Sequence, residues 1–209
     1  MCAVLFFTQL LNIHSMHSYY RRRGNIKRIF DVIASVTALL LLSPLLGVVT
    51  LVVFFDDGAP VLLKQQRVGL GNELFWIYKF RTMHRETTCD AQRAMAKKAK
   101  FTRTGRVLRA LSLDELPQLW NILRGDMSFV GPRPLIPEED EIRRLRAAAG
   151  VYTVLPGLTG WAQVNGRANV TDKEKVALDA QYLSRQSLWM DIKILVKTAL
   201  IVLTRKNVE

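Results

Sequence analysis

Between Val32 and Phe55 the chain carries no charged residue. As a straight helix this run would reach roughly 36 Å at 1.5 Å per residue, enough to cross the hydrocarbon core of a bilayer. At its middle stands Ser43-Pro44, where proline removes one backbone hydrogen bond and presses on the carbonyl of Leu40. Two forms satisfy that sequence. One is a kinked spanning helix whose freed groups are met by Ser, Thr or water; the other is a helix that breaks at the pair and returns to the side it left. The flanks separate them. Arg21, Arg22, Arg23, Lys27 and Arg28 precede the run and mark that end as cytoplasmic by the positive-inside rule. A spanning helix would carry everything from Asp56 onward to the other side, away from cytoplasmic nucleotides. The charge distribution therefore predicts a re-entrant helix-break-helix over residues 26–57, between an N-terminal extension (1–25) and a cytoplasmic domain with interfacial helices (58–209).

The extension has a short apolar run, Ala3 to Phe7, with no basic segment ahead of it and no small-residue cleavage site. It reads as a helix at the membrane surface rather than a signal peptide. Across 209 residues, 49% hydrophobic content coexists with a net charge of +12. The two agree if apolar residues enter lipid while basic ones meet anionic headgroups or phosphorylated substrates. Nucleic acid fits the charge as well. Cys2 and Cys89 have no metal-ligand spacing, which indicates neither a disulfide framework nor zinc and suits a reducing cytoplasm.

Beyond the apolar run the pattern is α+β, mainly α. Turn chemistry at Asp57-Gly58-Ala59-Pro60 and at Gly69 to Asn72 brackets a β-hairpin of Val61–Val68 and Leu74–Arg81. Alternation puts Lys79 and Arg81 on one face. Each is a solvated cation on its own, and together they can hold a substrate phosphate. Ala91 to Leu111 is basic and intermittently apolar, suited either to a helix on an anionic membrane surface or to a solvated helix face that carries its lysines. Pro137 to Arg146 reads as a surface helix with i,i+4 pairs Glu139–Arg143 and Asp140–Arg144. Leu155-Pro156-Gly157-Leu158 suits a type II turn, and Asn165-Gly166 a second tight turn. Residues 178–182 are helical, and Leu188 to Leu203 forms an amphipathic helix too polar to span, lying in the interface or on the core.

Chemistry concentrates in Ala110 to Asn121, where Asp114 and Glu115 stand next to Pro117. Ser112-x-x-Glu115 is a capping box in form, but it would put Pro117 inside the helix, where it clashes. A helix opening at Pro117 leaves both carboxylates free at its mouth, a place that also favours phosphate. Arg103, Arg106 and Arg109 precede at steps of three, and Arg109 is suited to phosphate contact. Pro132 and Pro134 stiffen the backbone around Arg133, presenting a guanidinium or merely a rigid connector. Trp161, Gln163, Asn165 and Arg167 can read a base, a sugar or a headgroup, or cluster by chance.

Several of these stretches together resemble a known family: Lys27-Arg28-Ile29-Phe30-Asp31, Gln66-Arg67-Val68-Gly69, Tyr78-Lys79-Phe80-Arg81-Thr82-Met83, Ser112 to Leu119, Gly125-Asp126-Met127-Ser128, Gly131-Pro132-Arg133-Pro134 and Pro156 to Arg167. In that order, over about residues 26 to 204, they resemble the bacterial sugar transferases, the monotopic polyprenol-phosphate phosphoglycosyl transferases, in their small stand-alone form. The resemblance implies transfer of sugar-1-phosphate from a UDP-sugar to undecaprenyl phosphate with release of UMP. It implies Mg²⁺, bound at Asp114, and a covalent phosphosugar on Asp114 with Glu115 as partner acid/base. It also implies donor contacts from Arg109 and Arg133, roles for Lys79 and Asp179, and the bacterial inner membrane with the catalytic domain facing the cytoplasm. Anionic inner-leaflet lipid joins the substrates as a partner, with a second copy of the chain or other glycan-pathway enzymes beside them and no nucleic acid. Ala168 to Lys175 and Asp179-Ala180-Gln181-Tyr182 resemble the subgroup handling N-acetylated amino sugars. The rival readings are a membrane-tethered nucleic-acid binder and a non-catalytic scaffold.

Overall fold

A computed structural model describes residues 2–84, 101–166 and 170–204, with side chains from Ile26 onward except residue 203. Its first element, α1 (Cys2–Asp57), runs through Pro44. The break expected at Ser43-Pro44 is therefore not an interruption of the helix. Ser43 Oγ donates to the Leu40 carbonyl at 2.8 Å, the oxygen that proline leaves without its amide partner. The helix also runs across the boundary drawn at residue 25.

The apolar part of α1 does not stand away from the rest. Ala38, Leu39 and Leu42 pack against a core of Ile77, Leu119, Ile122 and Met127, and Leu46, Val49 and Val53 share another with Phe80 and Leu108. These positions recur every three or four residues, which is one face of a helix. The other face is bare: Ile33, Leu40, Leu41, Val48, Leu51 and Phe55 are exposed. Polar contacts hold both ends to the same body. At the N-terminal end Lys27 bonds to Asp191 and the Val130 carbonyl, Arg28 to the carbonyls of Ile122 and Leu123, and Asp31 to the Phe129 amide. At the C-terminal end Asp56 accepts from the Thr104 amide and Asp57 pairs with Arg81. Of the described residues, Ile26–Asp57 is the one segment long and apolar enough to cross a membrane.

The expected hairpin is present. Strands β1 (Leu62–Val68) and β2 (Leu74–Phe80) pair antiparallel, with Leu63 opposite Lys79. Helix α2 (Arg103–Ala110) follows, then a 3₁₀ turn (Leu113–Glu115), α3 (Gln118–Arg124) and β3 (Ser128–Val130). Fully buried Asn121 joins α3 to β2: its amide nitrogen donates to the Trp76 carbonyl at 2.7 Å and its oxygen accepts from the Tyr78 amide at 3.2 Å. A side chain thus pairs the open edge of β2 as a further strand would. Then come α4 (Asp140–Ala148), β4 (Gly157–Thr159), α5 (Trp161–Asn165), α6 (Asp172–Arg185) and α7 (Leu188–Thr204).

Two turn assignments are corrected. Gly157 has no positive φ and begins a strand parallel to β3 rather than closing a type II turn. A Cβ there would stand 2.1 Å from the Gly131 amide, so glycine serves close approach of two backbones. Asn165 ends α5, and Gly166 keeps a negative φ of −75°. The Glu139–Arg143 pair predicted at the start of α4 is replaced: Arg143 bonds to Asn72, and Glu139 accepts from the Ile136 amide. Helix α7 is apolar on two sides. Ile194 is buried while Trp189, Ile192, Val196 and Leu200 form an exposed apolar stripe.

Candidate active site

The acidic pair owes its position to a turn, not to a cap. Ser112 adopts the left-handed conformation (φ 55°) without capping through its side chain, so the capping-box alternative is absent. The chain turns there, tightens into Leu113–Glu115 and reaches Pro117 at the start of α3. Leu113 packs on the core shared by α1, β2 and α2, and Leu119 on the core shared by α1, β2 and α3. Between these anchors Asp114 and Glu115 stay partly exposed ahead of the helix.

Lys79 arrives from β2, two positions after buried Ile77 and so on the strand face that meets α3. Its Nζ lies 2.6 Å from Glu115 Oε1, and Arg133 donates to the same oxygen at 2.7 Å. Burial pushes Glu115 upward, but Arg133 and Lys79 outweigh it and hold the carboxyl at about 2. Asp114 moves the other way: burial and then the Glu115 charge raise it, against Lys79 and Arg109. Burial lowers Lys79 below its usual range, opposed by Glu115. Neighbouring carboxylates thus differ in environment, one fixed as an anion between two cations and the other without a side-chain partner among the described residues. That separation suits an acid/base or nucleophile pair.

Of the positions singled out in the sequence, Asp114, Glu115, Lys79, Arg109 and Arg133 come together, with Arg109 also stacked over Phe101 at 4.7 Å. Others do not. Arg81 is buried and binds the Asp57 carboxylate and the carbonyls of Asp57 and Gly58, closing the C-terminal end of α1. Gln163 donates to the Leu158 carbonyl, and Asn165 bonds to the Trp161 carbonyl and Lys197; both seat α5 locally. Asp179 is buried against Arg146 at 2.7 Å, which leaves it no open face for a ligand. Arg167 lies outside the described residues. One residue was overlooked. Arg67, in the Gln66-Arg67-Val68-Gly69 stretch, donates to the Pro134 carbonyl and feels the charges of Arg133 and Glu115. Its motif was visible, but nothing in the sequence said that a strand end faces the Arg133 loop.

Asp114 also bears on metal binding. Among the described residues there is no group of three or more His, Cys, Asp or Glu side chains that could hold a metal ion. Mg²⁺ keeps several waters and binds through one or two carboxylates plus substrate phosphates. A single carboxylate free of side-chain partners, beside cations suited to phosphate, fits that habit.

Comparison with known proteins agrees with the recurrent stretches. Residues 22–205 match the family model described as bacterial sugar transferase. A UDP-glucose:undecaprenyl-phosphate glucose-1-phosphate transferase of Caulobacter vibrioides is 43% identical over 189 residues, covering 87% of this chain and 71% of that protein. An undecaprenyl-phosphate glucose phosphotransferase of Komagataeibacter xylinus is 44% identical over 184 residues, 82% of this chain but 35% of its own length. The uncharacterized sugar transferase EpsL of Bacillus subtilis is 40% identical over 190 residues, 88% of this chain and 90% of its own.

Proposed function

Since this chain belongs to the bacterial sugar transferase family, we propose that it moves a sugar-1-phosphate from a UDP-sugar to undecaprenyl phosphate, leaving undecaprenyl-diphosphate-sugar and UMP, as an early step of exopolysaccharide, O-antigen or glycan assembly. It is a membrane phosphoglycosyl transferase. The observation that carries the reading is the acidic pair, with Glu115 locked between Lys79 and Arg133 and Asp114 beside it without a side-chain hydrogen bond among the described residues.

In the proposed first step an Asp114 oxygen attacks the sugar-bearing phosphorus of the donor. The bond from that phosphorus to the bridging oxygen breaks, and UMP leaves with the oxygen and its electron pair. In the second step an oxygen of undecaprenyl phosphate attacks the same phosphorus, and the acyl-phosphate bond breaks to restore the carboxylate. Arg109, Arg133 and Lys79 offset the phosphate charge that would repel both nucleophiles. Glu115, held as an anion, first keeps two of those cations in place. Its base strength rises as the donor's phosphates draw them off, which suits it to take a proton from a singly protonated acceptor phosphate. Mg²⁺, held by Asp114 and the donor's diphosphate, would supply further charge neutralisation.

For topology we propose that the apolar segment enters and leaves on the cytoplasmic side of the inner membrane. The support is that both its ends, and one face between them, pack on the same globular body. The exposed face of α1 and the stripe on α7 would then meet lipid. For the sugar, residues 168–175 and 179–182 favour an N-acetylated amino sugar, while two relatives are named for glucose.

The test is UMP release by purified protein in nanodiscs containing undecaprenyl phosphate, across a panel of UDP-sugars with and without Mg²⁺. Donor alone should leave a phosphosugar adduct on the wild type, visible by intact mass, and none on Asp114→Asn. Turnover by Asp114→Asn would overturn the covalent route.

A further inference from the structure

We propose that the buried Arg146–Asp179 pair is a positioning device for Arg133, acting through the Arg133 backbone carbonyl. The proposal rests on the reading of Arg133 as a donor-phosphate ligand. Arg146 on α4 is 4% exposed and Asp179 on α6 is 1% exposed. One terminal nitrogen of the guanidinium forms an ion pair with Asp179 Oδ2 at 2.7 Å, and the other donates to the Arg133 carbonyl at 2.6 Å. On the far side of the same residue, the Arg133 side chain reaches Glu115 at 2.7 Å. A continuous polar path therefore joins α6, α4, the Arg133 peptide and the acidic pair.

The surrounding loop explains why one peptide needs such a device. Its neighbours are held by backbone partners: the Gly131 amide bonds to the Thr159 carbonyl, the Gly157 amide to the Pro132 carbonyl and the Val68 amide to the Leu135 carbonyl. Flanking prolines fix φ at positions 132 and 134. The orientation of the Arg133 peptide is left to Arg146. A planar fork meets a carboxylate and a carbonyl at once, and the buried carboxylate fixes which way the fork points. Burying two charges is a poor route to stability alone, whereas a small error in placing a ligand-binding group is costly to rate. Asp179 thus serves substrate indirectly, although it touches none.

The experiment compares wild type, Arg146→Lys, Asp179→Asn, Arg133→Lys and the double variant Arg146→Lys/Arg133→Lys, each as the full chain in undecaprenyl-phosphate nanodiscs. Readouts are donor KM, kcat and Tm. Lysine keeps the charge and loses the fork, so Arg146→Lys should raise donor KM about tenfold. The double variant should fall within about twofold of Arg133→Lys alone, because both changes act on one group. Losses that multiply, or Arg146→Lys and Asp179→Asn with wild-type donor KM, overturn the proposal. So does failure of both single variants to fold, which would make the pair purely structural. Failure of the underlying reading looks different: wild type releases no UMP with any donor, or Arg133→Lys leaves donor KM unchanged.

Discussion

Glu115 accepts two cations through a single oxygen, and that arrangement has two consequences for pH. The first concerns stability. Its folded value of about 2 lies below the ordinary 4.5, so its ionised form stabilises the fold above the unfolded value, and that contribution drains away as pH falls from about 4.5 toward 2. Thermal melts between pH 2 and 6 should show this loss in the wild type and a flatter profile in Glu115→Gln. The second concerns rate. Lys79 lowers Asp114, so Lys79→Met should move the acid limb of kcat/KM to higher pH, read from a pH–rate profile. At this scale the sequence exposed residue types but not their partners. Lys79 and Arg81 occupy one strand face by alternation, yet one meets Glu115 and the other the end of α1. Which carboxylate a cation finds is set by helices distant in sequence, and no local pattern encodes it. The pairing of Asp179 was hidden for the same reason: its partner on α4 becomes its neighbour only after folding.

Among elements, the α3–β2 contact sets the geometry of the pair, because Lys79 and Glu115 sit on opposite sides of it. Asn121 is fully buried and bonds there to two backbone groups of β2. Asn121→Ala should destabilise the protein by about 2–3 kcal/mol, since buried backbone groups lose their partner. Chemical denaturation checks the stability, and the Lys79→Met phenotype in pH–rate measurements should reappear in part. Gly157→Ala should be similarly damaging, with its Cβ placed 2.1 Å from the Gly131 amide. The hairpin, the opening of α3 near Pro117 and helix α7 were legible because period, turn residues and proline act locally. The roles of Gly157 and Asn165 were not. Each lies in a turn-like dipeptide, and tertiary approach of β4 to β3 and of α5 to α7 decided between turn and regular structure.

For the whole molecule, the decisive feature is that the long apolar helix is also a wall of the domain. Its length and charge-free run were evident in the sequence. Of the two forms open at Ser43-Pro44, the helix runs on through Pro44 with Ser43 satisfying the freed carbonyl; the packing of one face of that helix on the domain was not legible, because its partners are distant in sequence. A reporter fused at Glu209 and a cysteine probe near the start of α1 should both be found on the cytoplasmic face. Appearance of either outside would refute the arrangement. Leu113, immediately before the proposed nucleophile, rests on the same cluster as Val49 and Val53 of α1. A bilayer that is too thick or too thin and shifts that helix along its axis should therefore disturb the reacting carboxylate directly. Turnover would then follow acyl-chain length in the surrounding lipid, making this catalyst a gauge of the membrane in which it works.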